Sequence, residues 1–310
     1  MGLLDTAYDE LRKPRALGLR VGDFVPYVSG LLAADDARLA AKQGNYGEAA
    51  GALAGLIPGG AIAKKLTGVD LGSVSPRQIF AGKKAKGADL EAMKRAESRV
   101  ASGDDPRTVW REEGWFRGPD GQMRFEIDDS GLQINDYRNT GGAISISHPE
   151  LAKAYPPVRN MKATPHPMFS GRNAGYDPFK DDLDYRLGNP GKIYIGDKAP
   201  PKDVFGHELQ HFTQQVEGFA KGGGKETPEV LAEARRMVAR EKATGRTDLP
   251  PDDEFMNMAK TNAYRRLAGE AEARAVQKRI NMTPEERRNT YPNDSYDVPI
   301  NSLIYTGLLD

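Results

Sequence analysis

Residues 207–211 read His207-Glu208-Leu209-Gln210-His211, an H-E-x-x-H run. Side chains four apart on an α-helix share a face, so both imidazoles would point at one ion with a carboxylate between them. Neutral imidazole nitrogen suits Zn²⁺, and a catalytic zinc keeps three protein ligands and a water whose pKa it lowers towards neutrality. Glu208 would stand beside that water as the base. The bland alternative is a pair of solvated or core histidines on a structural helix. Two of the chain's four histidines are spent here, and the sequence around them favours the metal.

Phe205, Leu209, Phe212 and Val216 follow at spacings of four, three and four, the stripe of an amphipathic helix with an apolar back. Pro200, Pro201 and Asp203 supply its start and Gly222-Gly223-Gly224 its stop. Lys192–Gly196 reads as a short strand just before it, placed to hold an extended substrate by backbone pairing. Two imidazoles leave the site one ligand short. His148 and His166 lie upstream in loop-like sequence and read as ordinary loop or surface histidines. Downstream, Asp252/Asp253 opens a long helix expected to run to about Ile280, carrying Gly269-Glu270-Ala271-Glu272-Ala273-Arg274.

Glutamates two apart on a helix diverge by about 200°, so one of them faces the motif. The apolar stripe Ala259, Ala263, Leu267 and Ala271 lies nearer Glu270, and Glu272 falls on the wetter side, so Glu270 is the expected third ligand and Glu272 its alternative. Arg274, one turn on, is placed to orient the Glu270 carboxylate; the plain alternative is an i,i+4 surface pair.

The remaining chain bounds the function. Its 310 residues suit one domain plus an extension, and 44 basic side chains balance 44 acidic ones. That balance lacks the basic footprint of a nucleic-acid binder. With no cysteine, disulfides, thiolate zinc sites and a cysteine nucleophile are excluded. Charges in the first residues speak against a signal peptide, and the uncharged run Ala49–Ala63, interrupted by Pro58, is too short to cross a bilayer. Residues 1–70 read as an Ala/Gly-rich helical hairpin (Val28–Gln43, then Tyr46–Leu56) that must pack on a neighbour, on another subunit or at a membrane surface. Residues 71–105 read as a linker over 71–87, then a helix Ala88–Ala101. Pro106–Glu113 gives a short helix, Met123–Asp128 an alternating strand, and Leu132–Ile134 and Ala143–Ile146 weaker strands. Residues 155–191 read as long irregular connections, with Asp128, Asp129, Asp181, Asp182 and Asp184 as solvated turn residues. Thr227-Pro228-Glu229 caps a helix to about Ala243, and Ile300–Leu309 is apolar enough to dock.

Three blocks, in order, carry a resemblance. They are Gly114-Trp115-Phe116-Arg117-Gly118 with Asp120-Gly121 and Arg124–Asp129; the motif followed by Gln214–Ala220 and Gly222; and Gly269–Arg274. Over about residues 100–300 the chain resembles a zincin-like domain family of phage and prophage proteins, one of the large polyvalent protein-associated domains. The resemblance implies an α+β zincin-like metallopeptidase fold over residues 106–310, with His207, His211 and Glu270 on zinc and Glu208 as base. Arg274 stands where several glutamate zincins have an acidic or amide residue. The expected activity is zinc-dependent hydrolysis of a protein or peptide by a virion protein, delivered into the host cell with the genome. Tyr264, Tyr291 and Tyr305 are the candidate donors to the oxyanion. The expectation from another class is a structural or ejected virion protein that keeps the fold as scaffold. Residues 1–70 would then join other virion proteins, self-assemble or touch a membrane peripherally.

Overall fold

The computed structural model describes residues 77–136, 144–198 and 200–306; the hairpin expected within residues 1–70 lies outside them. The architecture is mixed α+β with two open sheets. One compact unit comprises Ser73–Glu233 with Lys260–Asp310. A three-stranded antiparallel sheet there has β3 (Met123–Asp128) between β1 (Arg77–Ala81) and β2 (Trp115–Arg117). β1 falls inside residues 71–87, which read as a linker with no strand. Ile79, Phe80 and Ala81 are fully buried, so tertiary burial makes a strand of five residues that are too few to show a period. Helices α1 (Leu90–Ala101) and α2 (Pro106–Glu113) start on side-chain caps from Asp89 and Asp105.

The second sheet has five strands: β4 (Gln133–Asp136), β5 (Ile144–Ser147), β6 (Lys162–Pro165), β7 (Ala174–Asp177) and β8 (Lys192–Ile195). Their order is β4-β5-β6-β8-β7, with only β6 and β8 parallel. β8, expected to hold substrate, is paired on both sides and has no free edge. The edge strand beside β8 is β7, which lies within residues 155–191 read as irregular. Two short helices accompany these strands, α3 (Pro149–Ala154) and α4 (Asp182–Arg186). His148, expected as a loop or surface histidine, is buried and accepts the Leu151 N–H as cap of α3. Asp129, expected in solvent, is also buried, and that burial pushes its carboxyl up to about 7.

The motif helix is α5 (Lys202–Glu217). Phe205, Leu209, Phe212 and Val216 enter the main core with the inner faces of both sheets, as the spacing predicts. The helix stops at Gly218, left-handed at φ 77°, four residues before the expected glycines. Beyond α6 (Pro228–Ala243), the expected single helix over 252–280 is two, α7 (Asp252–Arg265) and α8 (Ala268–Ile280). The break has a visible cause in the C-terminal segment. Ile304 takes a hydrogen bond from the Ala268 N–H and donates one to the Arg266 carbonyl, holding Leu267 extended. Helix α9 (Pro284–Asn289) follows, with a capping box between Thr283 and Glu286. Of the second unit the described part is Ala234–Ala259, where Ala234, Val238, Phe255 and Ala259 bury one another.

Candidate metal centre

α8 packs on α5, and a Cβ at Gly206 would meet the Ile280 side chain, so the two helices approach closely at that point. The break before α8 puts Glu270 in its first turn, facing the motif. His207 Nε2 and His211 Nε2 lie 3.1 Å apart. Glu270 Oε2 is 3.6 Å from the first and Oε1 is 3.4 Å from the second. One donor atom from each residue thus falls within 4.8 Å of the others. Two imidazoles and a carboxylate around one space are a donor set that suits Zn²⁺. The triad, with Glu208 beside it, matches the H-E-x-x-H…E ligand geometry of zinc metallopeptidases.

Each member is held. Glu270 accepts from the Gly223 N–H at 3.0 Å and from the Tyr264 hydroxyl at 2.8 Å. Burial alone would raise its pKa, but His211, His207 and that N–H outweigh it and hold it at about 2. Burial opposes charge on His207 as well; hydrogen bonding to Glu270 and the field of Glu208 prevail and raise its pKa. The His211 Nδ1 faces Gln214 Oε1 at 2.9 Å. Glu208 is buried, and burial drives its carboxyl above the ordinary range despite both imidazoles and the nearby Tyr176 backbone of β7. A carboxyl raised in this way holds a proton more tightly than an ordinary glutamate, as a base for water requires.

The four residues floor a cleft of about 550 Å³ whose walls include edge strand β7, Phe169, Tyr264 and Lys221–Gly224. The glycines expected to stop α5 are instead one wall of the site. Their closeness demands small residues: a Cβ on Gly222 would strike Glu270 and His211, and one on Gly269 would strike the Lys221–Gly222 backbone. The C-terminal segment clamps this wall, the Lys221 N–H donating to the Thr306 carbonyl and the Thr306 hydroxyl to the Lys221 carbonyl.

The other sequence candidates separate. Glu272 is 2 % exposed, not on a wet side. It pairs with Arg124 Nε at 2.7 Å and accepts from Gln210, Gln214 and Tyr296. Arg124 also forks onto Asp120, at 2.6 and 2.8 Å, and lies over the Phe219 ring. Arg274 does not orient Glu270; it binds Asp297 through two nitrogens and the Arg265 carbonyl. Of the three tyrosines, Tyr264 is in the cleft. Tyr291 stacks in the core against Trp110 and Phe116, and Tyr305 donates to the Pro119 carbonyl. The sequence reading missed Gln214 and Arg124. Gln214 is legible in principle, three residues after His211 and therefore on the same helical face; Arg124, far upstream, stands only within a block that carries the resemblance, with nothing local to tie it to the site.

Residues 78–135 match the family described as Large polyvalent protein associated domain 23. No curated protein and no solved structure matches the chain. The matched stretch runs from β1 into β4 and stops short of the motif helix, yet it reaches the site. Arg124 comes from it, and so does Phe80, whose N–H donates to Gln210 Oε1 and whose carbonyl accepts from Gln210 Nε2. A polyvalent-protein domain joined to this triad supports a metal-dependent, hydrolase-like role.

Proposed function

We propose that the protein is a zinc-dependent peptidase-like hydrolase of a phage particle, delivered with the genome and acting on a protein or peptide. The observation that carries the reading is the convergence of His207, His211 and Glu270 on one space, with Glu208 on the floor of the same open cleft. His207, His211 and Glu270 would hold the ion. Zinc in that position supplies Lewis acidity to a peptide carbonyl and lowers the pKa of water. Glu208 takes the proton from the attacking water and hands it to the leaving amine. β7, as the sheet's edge, offers backbone groups to an extended substrate. Of the candidate tyrosines Tyr264 lines the cleft; its hydroxyl donates to Glu270 and would have to turn from it to serve the oxyanion.

The phage setting rests on the family matched by residues 78–135 together with the wider resemblance over 100–300. Residues 1–70 are assigned to assembly with virion proteins, with other copies or at a membrane surface. Among the described residues no helix is long and apolar enough to cross a membrane. Removing residues 1–70 is expected to abolish assembly and spare hydrolysis.

The deciding experiment is elemental analysis of freshly purified protein with a peptide-cleavage assay, for wild type and Glu208→Gln. One zinc per chain in both, with turnover lost by about 10²-fold or more in the variant, is expected. Absence of metal from the wild type sinks the reading. Zinc with no cleavage of any peptide in a broad library leaves the scaffold function in its place.

A further inference from the structure

The geometry points to Gln214 as the residue that decides which nitrogen of His211 is offered to the cation, with Glu272 and Arg124 holding Gln214 to that orientation. A neutral imidazole carries one N–H and one lone pair, and the partner of one nitrogen fixes the state of the other. Gln214 Nε2 donates to the Gly269 carbonyl at 2.8 Å and to Glu272 Oε1 at 3.2 Å. Turned over, the amide would set its oxygen against that carbonyl and that carboxylate. The oxygen therefore faces His211, 2.9 Å from Nδ1, and an amide oxygen accepts only. Nδ1 bears the hydrogen, and the lone pair sits on Nε2, towards Glu270 and His207.

Glu272 cannot drift from this arrangement. Arg124, itself forked onto Asp120, pairs with it at 2.7 Å, and Gln210 Nε2 donates to it at 2.8 Å. Gln210 is in turn locked on the Phe80 backbone. The line from His211 through Gln214 and Glu272 to Arg124 ends in the matched segment 78–135, which thus takes part in the metal centre without supplying a ligand. His207 has no such guide: its buried Nδ1 has no partner among the described residues. Glu272 is a positioning residue here, as is Gln214.

The inference rests on the metal reading above for its purpose, but its test begins without metal. Long-range ¹H–¹⁵N spectra of the histidine rings are recorded on chelator-treated full-length protein at alkaline pH, for wild type and Gln214→Met. The wild type is expected to show His211 with its hydrogen on Nδ1. Gln214→Met should move that hydrogen to Nε2 in part or whole, leave the His207 signals in place and weaken zinc binding by ~10–100-fold. An Nε2–H tautomer in the wild type overturns the inference even if Gln214→Met does not fold, and so does an unchanged tautomer with unchanged zinc affinity in a folded Gln214→Met. A wild type that binds no zinc yet holds Nδ1–H ends the peptidase reading and leaves this one standing.

Discussion

Glu270→Gln and Arg124→Met touch carboxylate sites two residues apart on α8, and the partners of those carboxylates make the expected losses differ in kind. Glu270→Gln keeps one acceptor, which the Gly223 N–H can use while the Tyr264 hydroxyl turns to accept from the new amide, but it removes the charge that the imidazoles face. The fold should persist while bound zinc falls below stoichiometry after dialysis, read by elemental analysis. Arg124→Met strands Glu272 and Asp120, both paired with Arg124 and buried. Breaking a buried pair on one side costs on the order of 3–5 kcal/mol, which urea denaturation of metal-free protein would register. A change under 1 kcal/mol would mean that water reaches those carboxylates. At this scale the sequence was half legible. H-E-x-x-H is a local pattern, and Glu270 lies near a local apolar stripe. Glu272 was misplaced because its cover, Arg124 and Tyr296, comes from 148 positions upstream and 24 downstream, and no helical wheel contains either. Arg274 was misassigned for the same reason, with Asp297 taking it.

The glycine wall over residues 221–224 and the start of α8 meet without room for a methyl group, and this contact sets the reach of Glu270. Gly269→Ala would drive its Cβ into the Lys221–Gly222 backbone. Alanine favours a helix by about 1 kcal/mol over glycine, so α8 itself should survive and the wall should yield. The Gly223 N–H then withdraws from Glu270. Zinc affinity is expected to drop by about tenfold or more, measured by competition with a chelating dye, with helical circular dichroism unchanged; an unaltered affinity would show that the wall does not hold the ligand. The same contact explains which elements could be read in advance. α5 carries its own periodic stripe, and α1, α2 and α6 have caps or prolines that mark them. The break between α7 and α8 is imposed by Ile304 from outside the helix, and β1 and β7, of five and four residues, are too short for alternation to stand out. β8 draws the substrate role in the sequence because it directly precedes the motif helix, while its fully buried Ile193 and Ile195 mark an interior position.

On the scale of the whole molecule, proton binding and metal binding compete for the same side chains, and stability against pH should record it. Without metal, Glu270 titrates at about 2 against an ordinary 4.5. A depressed carboxyl stabilises above its unfolded value, and that share is lost as pH falls from 4.5 towards 2. His207 has the opposite sign: raised above 6.5, it stabilises below that value and the share is lost as pH climbs through the folded pKa. Asp129, shifted from 3.8 to about 7, binds a proton more readily folded than unfolded, so it too lowers stability as pH rises between those values. Metal-free protein should therefore be most stable in mildly acid solution and weaken on the alkaline side. Zinc needs deprotonated imidazoles, so its stabilisation grows in that direction; each tenfold excess over its dissociation constant adds ~1.4 kcal/mol. Thermal melts with and without zinc should diverge above pH 6.5, the ordinary histidine value, and converge in acid. The same series on His211→Ala should show almost no divergence at any pH. Parallel curves for the wild type, offset equally from acid to alkali, would mean that zinc binds elsewhere on the surface and that the three converging donors hold protons, not a cation.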